Sequence, residues 1–329
     1  MARKQPDPSP VVGGVLAELQ AARAEPNARK RRERAWRALA RAYGDHDLFA
    51  ALDFAQEAGL AAAPDSGGGK GRSRTPARPV LWKNPIDGSE MIWVPGGPFV
   101  VGRDNKPAEC AGFSLARHPV TNAQFRRFLD ASGYRSKVGV QLDGAEEEDT
   151  FLRHWENGEI PEGLENHPVV RVSFLDALEY CRWAGMTLPT EWLWEKAARG
   201  PEGRLYPWGD DAPEGDPDGL ANVGGEETCP VGSYPRTRTV YGCEDMIGNV
   251  SEWCQTTKDG AFGQFPDAWP DLYPKPGAVP VQVIVRGSCF LRVNATRMRA
   301  SHRRRLSSIR RNQWVGFRPA CLLPVVPAG

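Results

Sequence analysis

The sequence predicts an α+β domain rich in loops, preceded by a small α-helical N-terminal region and a linker. Three observations predict it. From about residue 80 onward Trp, Gly and Pro become frequent, and apolar residues fall in short runs rather than long helical stripes. Three segments in that part carry an amphipathic pattern that opens on a capping residue and closes near a glycine. Ahead of them, "PDSGGGKGRSRTPARP", residues 64–79, has no apolar periodicity and reads as a flexible linker. The expected organisation is therefore a helical region over residues 1–62, a linker over 63–79 and a larger domain over 80–329.

In the N-terminal region, "ERAWRALARAY" places Trp36, Leu39, Ala40 and Tyr43 on one helical face. "DHDLFAALDFAQEAGL" predicts a second helix, opened by Asp45 or Asp47 and stopped at Gly59. About 50 residues supply only a marginal core, so these helices are expected to serve as a small bundle or as a partner-protein contact. The basic run "RKRRER", residues 29–34, reads as a solvated helix face or a partner contact rather than a nucleic-acid site.

Beyond the linker, "EMIWVPGGPFVVG" predicts a β-hairpin around Pro95, Gly96 and Gly97. "TNAQFRRFLDASG" predicts a helix opened by Thr121 or Asn122 and closed by Gly133, with Phe125, Phe128 and Leu129 facing inward. "SFLDALEYCRWAG" repeats the design with Ser173 as cap and Asp176 three residues later, and "TEWLWEKAARG" does so with Thr190. After Gly200 come turns and short strands, among them "DMIGNVSEW", "VQVIVRGS" and "WVGFRP".

Composition bounds the function classes. With 42 Lys and Arg against 41 Asp and Glu the net charge is +1, so overall electrostatics favour neither nucleic acid nor a membrane surface, and any basic patch is local. The N-terminus lacks the apolar core of a signal peptide, and no apolar run approaches the roughly 18 residues of a membrane span. The 7 cysteines show no C-x-x-C pairing, which favours reduced thiols in a cytoplasmic protein. Cys181 in "EYCRWAG" reads as core packing, and His118 and His167, each before a proline, as buried hydrogen-bonding residues.

The ordered motifs "MIWVPGGPFVVG", "HPVTNAQFRRFLDASGY", "HPVVRVSFLDALEYCRWAG", "LPTEWLWEKAARG", "LYPWGDD", "DMIGNVSEW", "VRGS" and "VGFRPA" resemble the sulfatase-modifying-factor family, the formylglycine-generating-enzyme domain. The resemblance implies a C-type lectin-like fold over most of residues 90–321. Enzymes of the family hold copper between two cysteines in the segment after their Arg-Gly-Gly-Ser motif, and soft thiolates suit Cu(I). Here that segment is "RGSCFLRVNATRMRASHRR", with one cysteine, Cys289, and the next, Cys321, lies beyond "GFR". No copper is expected, and a copper-dependent formylglycine-generating oxidase is the least favoured reading. The sulfoxide-synthase branch supplies a His-x-x-x-His-x-Glu module, for which the N-terminal region offers only His46.

The same resemblance implies a structural calcium site on Asp245, Gly248, Val250 and Glu252, with carboxylates from the outer pair and backbone carbonyls from the inner pair. It implies a weaker second site at Asn222 and Val223.

Nine arginines fall between Arg292 and Arg318. Arg286, Arg299, Arg303 and Arg318 match the family framework and are expected to brace loops. The residues between them resemble the variable C-terminal segment of diversity-generating-retroelement proteins, in which asparagine codons are rewritten to Phe, Leu, Arg, Val, His, Ser, Ile or Cys. On that resemblance Cys289, Phe290, Leu291, Arg292, Val293, Arg297, His302, Arg304, Arg305, Leu306, Ser307, Ile309 and Arg311 form a ligand-binding face within residues 286–318, without helix or strand periodicity. Asn294 and Asn312 would be unaltered positions. Such a face implies a non-catalytic binding protein with an acidic partner. The alternative is an undiversified adaptor of a bacterial conflict system.

Overall fold

The computed structural model describes residues 81–110, 112–136, 151–211, 219–257, 280–291 and 294–321. The expected N-terminal helices and linker, with Arg292 and Val293, lie outside the described residues.

Helices form where the sequence supplies both a cap and an apolar stripe. In α1, Asn122–Ser132, Thr121 accepts the Gln124 backbone N–H while the Gln124 side chain reaches back to the Thr121 backbone. Gly133 ends it at φ 64, a left-handed turn that glycine adopts without a Cβ penalty. In α2, Phe174–Trp183, Ser173 and Asp176 make the same reciprocal box. The third, α3, is Glu191–Arg199, opened by Thr190 accepting from Leu193 N–H.

The strands form two sheets and a hairpin. β1 (Leu81–Lys83), β2 (Glu90–Val94), β5 (Phe113–Ala116) and β10 (Ala320–Cys321) make one antiparallel sheet in the order β1-β2-β5-β10. β3 (Gly97–Val101) and β4 (Lys106–Cys110) pair only with each other. β6 (Ser251–Thr257), β7 (Gln282–Arg286), β8 (Arg303–Ser307) and β9 (Val315–Gly316) form the second sheet, in the order β8-β7-β6-β9, with β6 and β9 parallel. The fold class is α+β, C-type lectin-like, as the sequence predicts.

One strand pairing differs. The two runs of "EMIWVPGGPFVVG" are not a hairpin: β2 pairs with β1 and β5, while β3 turns away to pair with β4. The reason is burial. Four of the five residues of β2 are buried, as a central strand requires, and β3 has exposed and half-buried positions suited to a peripheral ribbon.

Two apolar clusters hold these layers together. In one, Phe125 stacks on Tyr180 with ring centroids 5.8 Å apart, and both meet the edge of Phe317. Cys181 lies in that cluster, fully buried. The other gathers Trp194, Ala197 and Ala198 of α3 with Ile92, Leu115, Met246, Ile284 and Met298. No helix among the described residues is long and apolar enough to cross a membrane.

Candidate binding site

The arginine-rich segment does carry local structure. Residues Ala295–Met298 form a single helical turn, α4, whose cap is Asn294, accepting the backbone N–H of Arg297. β8 follows and pairs with β7 from Arg286↔Arg303 to Gln282↔Ser307. The expectation of no periodicity is thereby corrected. Along β8, Arg303 and Arg305 are exposed, and Arg303 ion-pairs with Glu191 at 2.8 Å. Arg304 and Leu306 face the opposite way and are half-buried, with the Arg304 guanidinium 4.8 Å above the Trp314 ring and Leu306 against the apolar core.

The expected face divides into surface and anchors. Leu291, Arg297 and Arg305 are exposed, with Leu291 at 45%. His302, Arg304, Leu306 and Ser307 are half-buried. Cys289 and Phe290 are buried at 0% and 2%, and Ile309 is buried in the core. Arg311, with a side chain 5% exposed, pairs with Asp176 at 3.4 Å and lies over the Phe151 ring. These last four hold the segment down, the three apolar groups because they gain by leaving water and Arg311 because Asp176 and the Phe151 ring offset its desolvation.

Beneath the surface lies a buried ionic chain that the sequence reading missed. On α3, Glu191, Glu195 and Arg199 stand four residues apart and so on one helical face. Glu195 pairs with Arg199 at 2.8 Å through one oxygen and with Arg286 through the other. Arg286 also pairs with Glu191 at 3.2 Å. Burial pushes the Glu191 carboxyl up, against the pull of Arg286 and Arg303. The helical spacing of Glu191, Glu195 and Arg199 was the available signal.

A second buried pair braces the centre. Arg318 donates through Nε and Nη2 to Glu252, both at 2.7 Å, and also to the carbonyls of Ala116, Arg117 and Glu244. Trp194 adds an indole N–H to Glu252 at 2.8 Å.

That arrangement bears on calcium. Both oxygens of Glu252 already accept hydrogen bonds from Arg318, and a cation there would sit against the guanidinium. Asp245 accepts from Gly232 N–H at 2.7 Å, and the Asn222 carbonyl accepts from Asn249 N–H. Gly248, at φ +86, packs its Cα so tightly on Asn222 that a Cβ would stand 2.9 Å from the Asn222 carbonyl oxygen. The two expected calcium segments are thus locked to each other and to Arg318 by protein hydrogen bonds. Of the oxygens expected to hold calcium, Asp245 Oδ2, both of Glu252 and the Asn222 carbonyl already accept hydrogen bonds from the protein. Among the described residues no group of three or more His, Cys, Asp or Glu side chains is placed to hold a metal.

Two histidines couple stability to pH. Burial first, then Arg171, holds His154 down at about 4, and its Nε2 faces Asn122 Oδ1 at 3.1 Å. Burial, then Arg103, Arg304, Arg297 and Arg286, holds His302 down at about 4. Each imidazole stays neutral in the fold at a pH where the unfolded chain has taken up a proton, so stability falls as pH drops from about 6.5 towards about 4. Thermal melting across that window is expected to show a fall of several degrees, and His154→Gln is expected to flatten the slope.

An α+β domain of two four-stranded sheets and much loop, whose C-terminal segment supplies two strands of the second sheet, has the C-type lectin-like fold. Residues 78–322 match the family described as the sulfatase-modifying factor enzyme 1-like domain, and the chain belongs to it. Curated relatives include the hercynine oxygenase of Mycolicibacterium smegmatis, 38% identical over 194 residues, which covers 49% of this chain and 44% of that protein. The serine/threonine-protein kinase Pkn1 of Chlamydia trachomatis is 35% identical over 243 residues, covering 70% of this chain and 38% of the kinase. The formylglycine-generating enzyme of Mycobacterium tuberculosis is 34% identical over 226 residues, covering 51% of this chain and 74% of the enzyme. The chain therefore spans less than half the length of the first two.

Among solved structures, PvdO from Pseudomonas aeruginosa superposes with a TM-score of 0.54 at 24% identity, covering 74% of this chain and 98% of PvdO. Treponema denticola variable protein 1 does so with a TM-score of 0.50 at 18% identity, covering 73% and 98%. At these identities the likeness is one of fold.

Proposed function

We propose that this chain is a non-catalytic binding protein whose C-terminal segment, residues 286–318, presents a basic face to an acidic protein partner. One observation carries the reading. Buried framework (Arg286, Cys289, Phe290, Met298, Ile309) pins the segment, while Leu291, Arg297, Arg303 and Arg305 between those anchors stand exposed. That is the layout of a displayed surface. An oxidase of the family would need two thiolates here, and Cys289 is buried while Cys321 stands on β10 of the other sheet. The residue types on the face suit rewriting by a diversity-generating retroelement, and the fold shared with a Treponema variable protein is compatible with it.

The test is binding of a pentaglutamate peptide to the full chain as salt rises. Guanidiniums facing an acidic ligand give an affinity that falls with ionic strength. The exposed pair Arg297→Glu and Arg305→Glu is expected to weaken binding at least tenfold without lowering the melting temperature. Binding indifferent to both salt and charge reversal sinks the reading. A near-copy of codons 286–318 beside the gene, differing only at adenines, is the expected mark of diversification.

A further inference from the structure

Among the described residues the ribbon of β3 and β4 pairs with no other strand, and buried side chains of α3 reach it at both ends. At its turn, Glu195 accepts the Gly102 backbone N–H at 2.7 Å, and Arg199 donates to the Gly102 carbonyl at 3.1 Å and to Asn105 Oδ1 at 2.7 Å. At its open end Gly97 and Cys110 stand opposite each other. Lys196 of α3, 1% exposed, meets both of them there. Its Nζ donates to the Gly97 carbonyl at 3.0 Å and to Cys110 Sγ at 3.4 Å, and lies 5.1 Å from the centroid of the Phe99 ring. A backbone acceptor, a buried stem and a ring face therefore hold the lysine nitrogen against the sulfur.

Of the cysteines, Cys110 and Cys229 are half-buried and the others are buried. Cys110 is thus open to a small oxidant while a nitrogen nucleophile touches it from below. Reacting atoms roughly 3–3.5 Å apart already stand in a near-attack arrangement. Burial raises the Cys110 thiol against the pull of Lys196, and burial lowers Lys196 against the pull of Cys110. The two are brought closer together, so the nitrogen can take a proton in one step and be free of it in the next. A sulfenic acid condenses with a neighbouring thiol or nitrogen, and here the neighbour in contact is nitrogen.

We propose that Cys110 and Lys196 form an oxidation-sensitive pair, in which a hydroperoxide converts the thiol to a sulfenic acid and the lysine amine closes on the sulfur to give a sulfenamide cross-link between β4 and α3. The thiol proton passes to the amine, and the thiolate attacks one peroxide oxygen. The O–O bond breaks, and the displaced hydroxide takes the proton back from the ammonium and leaves as water. The amine then attacks the sulfenic sulfur. An N–S bond forms, the S–O bond breaks, and the hydroxyl departs with an amine proton as a second water. Sulfur is oxidised and the peroxide is reduced, so one thiol, one amine and one hydrogen peroxide give one sulfenamide and two waters. The link closes the open end of the ribbon onto α3, whose Glu195 and Arg199 already hold the turn end. It forms whether or not the C-terminal segment binds a partner.

The experiment treats the full chain with a small excess of hydrogen peroxide, digests it and reads the peptides by mass spectrometry. The expected result is a joined pair of peptides, one carrying Cys110 and the other Lys196, two hydrogens lighter than their sum. Dithiothreitol is expected to return both peptides separately, because a thiol attacks the sulfenamide sulfur and releases the amine. In Lys196→Met the link is absent, and dimedone, which traps sulfenic acids, labels Cys110 several-fold more than in the wild type. Cys110→Ala, at a half-buried position, is expected to give neither product. The wild-type digest reads the link directly, so the test does not depend on how well Lys196→Met folds. Cys110 recovered as a thiol, or as a sulfenic or sulfinic acid with Lys196 unlinked, overturns the proposal. A joined pair that dithiothreitol leaves intact overturns it as well.

Discussion

Arg318→Ala is expected to unfold the domain or lower its melting temperature by roughly 10 °C or more. The guanidinium is fully buried and makes two hydrogen bonds to Glu252 and three to backbone carbonyls from two segments of chain. Truncation strands the Glu252 carboxylate, itself at 0% exposure, with Trp194 as its remaining donor. Breaking a buried pair from one side costs about 3–5 kcal/mol, and a domain of this size loses about 2–4 °C per kcal/mol. Arg318→Lys keeps the charge but not the planar fork, so an intermediate melting temperature is expected. Differential scanning calorimetry reads both. A melting temperature unchanged in Arg318→Ala contradicts the role assigned to the pair.

Glu195→Ala is expected to destabilise by a comparable amount, about 3–5 kcal/mol, because it takes the shared carboxylate from two buried guanidiniums, leaving Arg286 with Glu191 and Arg199 with neutral acceptors. Arg199 and Arg286 are each 2% exposed and share this carboxylate. Glu195→Gln keeps the shape but only one acceptor oxygen, and its NH2 is set against a donor on the other side, so it is expected to keep the contacts of one oxygen and lose those of the other. In that variant the backbone amides of the Gly102–Asn105 turn and of β8 should exchange with deuterium faster, since Glu195 joins the two. Faster exchange throughout the molecule would mean global destabilisation only.

Much of the fold was legible in the sequence because caps are local chemistry. Thr121 with Gln124, and Ser173 with Asp176, are reciprocal hydrogen bonds between residues three apart, and the residue types alone announce them. Strand pairing is not local. Pro95, Gly96 and Gly97 suit a hairpin turn, but the partner of β2 is chosen by which strand buries its other edge, and that strand is β5. The arginine segment was legible as a unit, not in its details. A run of Arg303, Arg304 and Arg305 has no apolar alternation to reveal a strand, and the alternation is instead between an ion pair with Glu191 and a ring face on Trp314. The same blindness put Arg311 on the surface, when Asp176 and Phe151 hold it inside.

On the proposed reading the segment after Arg286 binds a partner and holds no copper. Anaerobic Cu(I) titration against a chelator of known affinity, followed by oxygen uptake with a cysteine-containing peptide, tests it most directly. The binding reading predicts no stoichiometric copper that depends on Cys289 and no oxygen uptake above that of the free metal. One tightly held equivalent of copper, lost in Cys289→Ser and accompanied by peptide-dependent oxygen consumption, would contradict it.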